Sequence, residues 1–343
     1  MYYITHYNRN GVKYTSRKIS KPRLLPYTPC LQEQEINNLN IPVLTEQNKT
    51  YTTFHIPKAS GGCRTIEAPS ENLKIKQRKL LNLLKDNYKL LESPWAYAYI
   101  KNTCALDALK EHQKNKSKYF LKLDIKDFFP SCTSEKVIQA LNQIFPVCSW
   151  PEEKQNILKE TILKYCFLNN KLPQGAVTSP FLSNLTLLPY DFKIHSLLKE
   201  AETFKKQRYI FTRYADDILI SAKTPFDWKE ITKQITDIFG DNFTIKKEKT
   251  RYGTSTGRNW NLGCMLNKDN NITIGYRVKE AWKRTMMDVI IKHTNGQTIT
   301  KEEKQQLQGK LAYYKMIEPE YFEYLNRHYT QKYNQNFELI LKR

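Results

Sequence analysis

Residues Tyr209–Ser221 constrain the fold more than any other stretch of the chain. They read Tyr-Ile-Phe-Thr-Arg-Tyr-Ala-Asp-Asp-Ile-Leu-Ile-Ser, so Asp216 and Asp217 stand between two apolar, β-prone runs. This pattern predicts two strands joined by a tight turn. Two neighbouring carboxylates are costly to bury, because each is desolvated and each repels the other. A bound divalent cation would remove that cost; the alternative is that the aspartates simply form the turn.

A further carboxylate stands in a strongly apolar run. The stretch Tyr119-Phe-Leu-Lys-Leu-Asp-Ile-Lys-Asp-Phe-Phe-Pro predicts a strand that carries Asp124 and Asp127. A carboxylate within a buried strand needs a partner, so Asp124 is a candidate metal ligand; the alternative is an ion pair with a nearby lysine. Together with Asp216 and Asp217 it would form an oxygen-only set of the kind that Mg²⁺ prefers. Two ions held in this way can activate a 3′-hydroxyl and stabilise a leaving pyrophosphate, although a two-metal nuclease also uses carboxylates.

The chain is strongly basic, since 55 Lys and Arg residues against 34 Asp and Glu give a formal net charge of +21. Such a field suits a polyanion, and 22 tyrosines offer rings that can stack on bases. We therefore expect a nucleic-acid partner and not a membrane, because no apolar stretch approaches the ~20 residues that span a bilayer. The seven scattered cysteines, without a Cys-x-x-Cys pair, favour reduced thiols, a cytoplasmic location and no zinc site.

Two further segments offer candidate substrate contacts. Gly61-Gly62 predicts a hairpin turn after the strand that begins at Tyr51, so Lys58 and Arg64 would flank a flexible tip suited to a phosphate group. The alternative is an ordinary solvated hairpin. Residues 169–180 predict a loop of small and turn-forming residues, which would let the backbone and Gln174 approach a ligand closely.

The rest of the pattern predicts a mainly helical chain. Residues 1–45 are polar and proline-interrupted, and they are expected to form an arm. A strand is expected at Phe243–Thr250 and a hairpin at Trp260–Asn267 and Ile272–Tyr276. Hydrophobic periodicity predicts helices that include Leu73–Leu91, Ala105–Gln113, Leu182–Leu198, Val278–Lys292, Thr300–Tyr314 and Glu320–Asn334.

Short motifs follow one another in a fixed order from residue 50 to the C-terminus. They are Ile-Pro-Lys-x-x-Gly-Gly-x-Arg (56–64), Leu-Lys-x-x-Gln-Arg (73–78), Leu-Asp-Ile-Lys-Asp-Phe-Phe-Pro (123–130), Leu-Pro-Gln-Gly-Ala (172–176), Arg-Tyr-Ala-Asp-Asp (213–217), Lys-Thr (249–250), Asn-Leu-Gly (261–263) and Gly-Lys-Leu-Ala-Tyr-Tyr (309–314). Each motif is weak alone. As an ordered set they resemble a bacterial reverse transcriptase of the retron, group II intron and defence-associated kind.

This resemblance implies an α+β right-hand polymerase with a small antiparallel palm sheet and a helical thumb. The expected division is an N-terminal arm at 1–45, fingers at 46–115 and 134–172, a palm at 116–133 and 173–268, and a thumb at 269–343. It also implies RNA-directed DNA synthesis with two Mg²⁺ ions, for which Mn²⁺ can substitute.

The resemblance further implies roles for individual residues. Asp124, Asp216 and Asp217 match the metal-binding triad, with the carbonyl of Ile125 as an additional ligand, and Lys249 matches a proton donor to pyrophosphate. It implies that Lys58, Arg64 and Asp127 contact the incoming triphosphate. The ring of Phe129 would lie beside the sugar and exclude a ribose 2′-hydroxyl. Gln174 and Gly175 would contact the nucleotide and the template. Leu262-Gly263 matches the primer grip.

The partners that the resemblance implies are a structured noncoding RNA template, a DNA product or primer, and deoxynucleoside triphosphates. The resemblance also implies a role in antiphage defence. An accessory effector protein and a homo-oligomer are left open. Asp107-Ala-Leu-Lys-Glu-His112 keeps the Ala and His, but not the Asn, of a retron segment, so a retron enzyme and another defence-associated enzyme are both compatible. Two other functions remain as alternatives: an RNA-templated RNA polymerase and a catalytically idle, maturase-like RNA-binding protein.

Overall fold

The computed structural model describes residues 51–57, 61–87, 92–143, 151–255, 260 and 263–342. The expected arm, Lys58 and Leu262 therefore lie outside the described residues. The chain divides into two compact units. The first contains the described residues up to Tyr99, together with Lys126–Ile194 and Ile238–Thr244; the second contains Ile100–Ile125, His195–Asp237 and the residues from Ile245 onward.

The strands form three antiparallel groups. In chain order they are β1 (Tyr51–Pro57), β2 (Cys63–Pro69), β3 (Tyr119–Asp124), β4 (Tyr209–Tyr214), β5 (Asp217–Ala222), β6 (Arg251–Thr254), β7 (Met265–Leu266) and β8 (Ile272–Thr273). β1 pairs with β2 and β7 pairs with β8, while the largest sheet has the order β4-β5-β3-β6. The small antiparallel sheet that we predicted is therefore present.

Helices account for most of the remaining described residues. In chain order they are α1 (Glu71–Asn87), α2 (Ala105–Lys114), α3 (Phe128–Ser131), α4 (Ser134–Gln143), α5 (Glu152–Cys166), α6 (Ser179–Lys205), α7 (Trp228–Phe239), α8 (Tyr276–Thr294), α9 (Lys301–Ile317), α10 (Pro319–Tyr333) and α11 (Phe337–Lys342). In this described part of the chain, no helix combines the length and the apolar character needed to cross a bilayer.

The predicted strand at Phe243–Thr250 is wrong. Lys247–Lys249 form a 3₁₀ turn instead, and the strand follows at Arg251–Thr254. The reason lies in Lys246 and Lys249, whose ammonium groups both reach Asp124. Residues three apart point to opposite faces of a strand, whereas a 3₁₀ turn brings them onto one side.

The second unit has a continuous apolar core. Phe120 of β3 and Leu219 of β5 pack in one cluster with Trp260, Trp282 and other buried side chains of α8–α11. The rings of Phe120 and Trp260 are stacked at a centroid distance of 5.3 Å. The largest sheet is thereby attached to the C-terminal helices of its own unit.

His112 of α2 is fully buried against the largest sheet. Its Nδ1 lies 2.5 Å from Ser221 Oγ in β5, and its Nε2 lies 2.8 Å from Thr212 Oγ1 in β4. Burial lowers the pKa of His112 to about 3. His112 therefore joins two strands as a neutral residue, and within the folded chain it is inaccessible to RNA.

Acid should weaken the protein through His112. At pH values between about 3, its pKa in the folded protein, and 6.5, its ordinary pKa, His112 binds a proton in the unfolded chain but not in the folded one. Stability therefore falls as the pH drops below 6.5, by about 1.4 kcal/mol per pH unit. Urea unfolding at pH 7 and pH 5 should show wild type losing about 2 kcal/mol more than His112→Gln. Equal losses in the two proteins would contradict this assignment.

Candidate active site

The hairpin between β4 and β5 presents two adjacent carboxylates. Tyr214 pairs with Asp217, so Ala215 and Asp216 form the turn. Ala215 has φ 56°, a left-handed conformation that non-glycine residues rarely adopt. The buried guanidinium of Arg213 donates a hydrogen bond to the Ala215 carbonyl at 3.1 Å. The turn is thus held from within the protein, and both aspartates lie at its end.

Asp124 lies at the same end of the sheet. On the antiparallel strands β3 and β5, Asp124 is directly opposite Asp217, and side chains in that relation have Cβ atoms about 4.5–5.5 Å apart. The amide of Ile125 donates to the Asp216 carbonyl at 3.0 Å. The structure therefore brings Asp124 together with the adjacent Asp216 and Asp217, which lie far from it in sequence, and the backbone of Ile125 lies beside them.

Three lysines are paired with this group of aspartates. Lys249 Nζ donates to Asp124 Oδ2 at 2.9 Å, and Lys246 Nζ lies 3.0 Å from Asp124 Oδ1. Lys122 Nζ donates to Asp217 Oδ2 at 2.7 Å. The lysine ion pair that the sequence left open as an alternative for Asp124 is thus present.

The surroundings of Asp216 and Lys249 shift the pKa values of both side chains. Burial raises the pKa of Asp216, and the negative charges of Asp217 and Asp124 raise it further. The hydrogen bond to Asp124 raises the pKa of Lys249 above its ordinary value. Burial and the neighbouring carboxylates therefore disfavour the ionised form of Asp216, and a cation bound beside it would offset this cost.

The donor atoms fit a divalent cation, although the side-chain arrangement is not a metal cage. Among the described residues, no three His, Cys, Asp or Glu side chains are arranged to hold a metal ion. Oδ1 of Asp124 is buried and accepts no hydrogen bond, because Lys246 approaches it only as an ion pair. Carboxylate oxygens are the hard ligands that Mg²⁺ prefers.

The first unit contains other candidate residues from the sequence. Arg64 is exposed on β2 opposite Ile56. Gln174 is half-buried, and its carbonyl accepts a hydrogen bond from the amide of Glu67 at 2.8 Å. The loop that follows α5 is therefore attached to the β1–β2 hairpin within this unit. Lys58 is outside the described residues, and its role stays a prediction.

Asp127 and Phe129 lie at the short helix α3. The prediction that Asp127 belongs to the strand with Asp124 is wrong, because β3 ends at Asp124 and the backbone turns at Asp127. Asp127 precedes the helix with φ 44°, is exposed, and does not cap the helix with its side chain. Its carboxylate is therefore not used by the helix. Phe129 is half-buried, and its ring lies 6.1 Å from that of Tyr99 and 5.4 Å from that of Phe128. These two rings fix the position of Phe129.

Sequence reasoning missed two kinds of supporting residue. Gln77 of α1 is fully buried; it donates to the Tyr165 carbonyl at 2.8 Å and accepts from the Val177 amide at 3.1 Å. A glutamine at an inward helical position was the available signal for this role. Lys122 was missed as well, although its spacing of two from Asp124 places both on one face of β3.

Gly175 should be intolerant of a side chain. Its φ is 132°, and a Cβ there would lie 2.9 Å from the Glu67 carbonyl oxygen and 2.9 Å from Ile66 Cγ2. We expect Gly175→Ala to lower the free energy of unfolding by about 1–3 kcal/mol, as measured by urea denaturation. Gly309→Ala is the matched control, since its Cβ would enter open space on α9. Similar effects of the two substitutions would contradict the crowding at Gly175.

Comparison with known proteins places these features in a family. A family model described as reverse transcriptase (RNA-dependent DNA polymerase) matches residues 56–305. The retron Ec73 reverse transcriptase of Escherichia coli is 31% identical over 81% of this chain and 87% of its own length. The retron Mx65 enzyme of Myxococcus xanthus is 31% identical over 82% of this chain and 65% of its own. The retron Ec83 enzyme of Escherichia coli is 28% identical over 82% of this chain and 87% of its own length.

Proposed function

The chain belongs to the reverse transcriptase family as a bacterial retron-type RNA-directed DNA polymerase, and we propose that it copies a structured noncoding RNA into DNA by two-metal nucleotidyl transfer. The observation that carries this proposal is the position of Asp124 directly opposite Asp217, beside the turn that contains Asp216. Family membership brings a general dependence on divalent metal ions. Our proposal specifies two Mg²⁺ ions, for which Mn²⁺ can substitute.

Asp124, Asp216 and Asp217 would hold the divalent ions, with the carbonyl of Ile125 as a further ligand. When bound, the ions would favour ionisation of the primer 3′-hydroxyl and neutralise charge on the leaving pyrophosphate. The hydrogen bond to Asp124 raises the pKa of Lys249 and so favours its charged form. Its ammonium group would neutralise the charge that develops on the pyrophosphate, or supply a proton to it, which is the role that the resemblance implies.

Residues of the first unit would bind the nucleotide. The exposed Arg64, with Lys58, would hold the triphosphate as charge-assisted donors, and Asp127 would lie beside its phosphates. The half-buried ring of Phe129 would leave no room for a 2′-hydroxyl, and Gln174 with Gly175 would contact the nucleotide and template. A selective site for deoxynucleotides follows from these roles, and it disfavours the alternative of an RNA-templated RNA polymerase.

A groove in the second unit suits the primer strand. It has a volume of about 380 Å³ and is lined by Gly263, Ile274, Val278, Lys310 and Tyr313 among others. Gly263 has φ 96°, and its missing side chain lets a strand approach the backbone. Lys310 would contact a phosphate at the rim of the groove. Gly263 belongs to the motif that resembles a primer grip.

The proposed partners follow from the charge and from the relatives. A net charge of +21 supports binding of an extended polyanion such as a folded RNA. The named relatives are retron reverse transcriptases, which supports a dedicated RNA template and a role in antiphage defence. An effector protein and a homo-oligomer are further partners that such a system could include.

The test is a primer-extension assay on the nucleic acid that copurifies with the full chain. We expect incorporation of deoxynucleotides that requires Mg²⁺ and is abolished by prior ribonuclease treatment, and sequencing of the product should identify one RNA template. Preferred incorporation of ribonucleotides would indicate an RNA polymerase. Tight RNA binding without any extension would indicate a catalytically idle RNA-binding protein.

A further inference from the structure

The group of aspartates contains its own counter-ions. Asp217 is paired with Lys122 at 2.7 Å, and Asp124 is paired with Lys246 at 3.0 Å and with Lys249 at 2.9 Å. Together with Asp216, the group has three carboxylates and three ammonium groups, so that its formal charges cancel. A free divalent cation would therefore meet little net attraction unless a lysine moved away.

Lys122 and Lys246 are held more firmly than surface lysines. Their side chains are 13% and 20% exposed, whereas that of Lys249 is 55% exposed. The amide of Lys246 also donates to the Asp124 carbonyl at 2.8 Å, which fixes the start of its side chain. Partly buried ion pairs are screened less by salt than exposed ones. These two lysines are therefore effective competitors for the carboxylate oxygens.

We propose that Lys122 and Lys246 are exchangeable counter-ions of the metal site, an inference that rests on the proposed function of the three aspartates. In the metal-free enzyme they neutralise Asp217 and Asp124, and they weaken the binding of free divalent cations. An incoming triphosphate gives the ammonium groups other anionic oxygens to bind. Metal binding is thereby favoured when the nucleotide is present, and before that the lysines offset the mutual repulsion of the carboxylates.

The direction of the effect follows from charge. Methionine has a similar apolar stem without the ammonium group, so Lys122→Met or Lys246→Met leaves the cluster with a net negative charge. A free divalent cation should then bind more tightly. The metal-free protein should become less stable, because breaking a partly buried pair leaves the other charge uncompensated.

The experiment measures binding of Mn²⁺ alone to the full chain, free of nucleic acid and nucleotide, by the electron paramagnetic resonance signal of unbound Mn²⁺. We expect the dissociation constant to fall by at least about threefold in Lys122→Met and in Lys246→Met. Lys223→Met is the matched control, because Lys223 is exposed just beyond the end of β5 that lies opposite Asp217. This variant should bind Mn²⁺ with the affinity of wild type. Addition of a deoxynucleoside triphosphate should reduce the difference in Mn²⁺ affinity between the lysine variants and wild type.

Unchanged or weaker Mn²⁺ binding in both lysine variants, with a native circular dichroism spectrum, would overturn the inference. Asp124→Asn and Asp217→Asn separate this failure from failure of the proposed function. If the aspartate variants lose Mn²⁺ binding while the lysine variants match wild type, only the counter-ion role is wrong. If the aspartate variants bind Mn²⁺ like wild type, the metal site itself lies elsewhere.

Discussion

Replacement of both Asp216 and Asp217 by asparagine should abolish DNA synthesis, with a loss of at least about a thousandfold in rate. Asparagine keeps the shape of each side chain but removes the negative charge that a divalent cation needs. Folding should survive. Loss of the Asp217 pair leaves Lys122 uncompensated and lowers stability, but loss of the Asp216 charge removes an ionised form that burial and the neighbouring carboxylates disfavour. Single-turnover primer extension on an RNA template, together with thermal unfolding, measures the two effects separately.

Asp237→Asn is the matched control for this experiment, because Asp237 is an exposed carboxylate on α7. It should leave both synthesis and stability unchanged. The double variant should also still bind the RNA, since its lysines and arginines are intact. Synthesis at more than about a tenth of the wild-type rate in the double variant would remove the hairpin aspartates from the reaction.

Phe129→Ala should allow ribonucleotides into the site. Removal of the ring makes room for a 2′-hydroxyl, and discrimination based on the exclusion of one small group is worth about 10- to 200-fold. We therefore expect the ratio of kcat/KM for deoxynucleotides to that for ribonucleotides to fall by at least about tenfold. The change should lie mainly in a lower KM for the ribonucleotide, measured in single-nucleotide incorporation.

Phe129→Tyr controls for the ring itself. It keeps the aromatic volume and the contacts with Tyr99 and Phe128, so discrimination between the two sugars should stay close to the wild-type value. If Phe129→Ala also discriminates like wild type, another residue excludes the 2′-hydroxyl. The identification of this protein as a DNA-synthesising enzyme would then depend on a different contact.

The sequence was most informative where one strong pattern decided the structure. The hairpin with Asp216 and Asp217 occurs as predicted, because short apolar runs around a turn favour paired strands. The predicted strand with Asp124 is also present, although it ends at Asp124 and does not include Asp127. At the start of α7, Asp227 is a residue type that commonly caps helices, and its Oδ1 accepts hydrogen bonds from the amides of Lys229 and Glu230. Local chemistry is sufficient for such elements.

Elements that depend on distant contacts were harder to predict. α6 extends from Ser179 to Lys205 and contains Pro189, whereas periodicity predicted only its apolar middle. α11 was not predicted, because six residues are too few to display a period; its Phe337, Ile340 and Leu341 are buried in the second unit. The longer helices α8–α10 were predicted to within a few residues, because 15 to 19 residues are enough to display a helical period.

The candidate site likewise contains residues that the sequence identified and residues that only the folded structure revealed. The ordered motifs identified the aspartates and their roles in a reverse transcriptase, but single-sequence reasoning did not find the pair of Lys122 with Asp217. That pair joins two strands whose register is visible only in the folded sheet. Gln77 likewise acts through contacts with residues about a hundred positions away. Such partners become apparent only when the backbone brings them together.

The most direct test of the central claim is anomalous scattering from Mn²⁺ in crystals of the enzyme with an RNA template, a primer and a non-hydrolysable deoxynucleotide. We expect two Mn²⁺ peaks, each within about 2.5 Å of carboxylate oxygens from Asp124, Asp216 or Asp217. Peaks confined to other residues, or an occupied nucleotide site without Mn²⁺ at these aspartates, would contradict the claim.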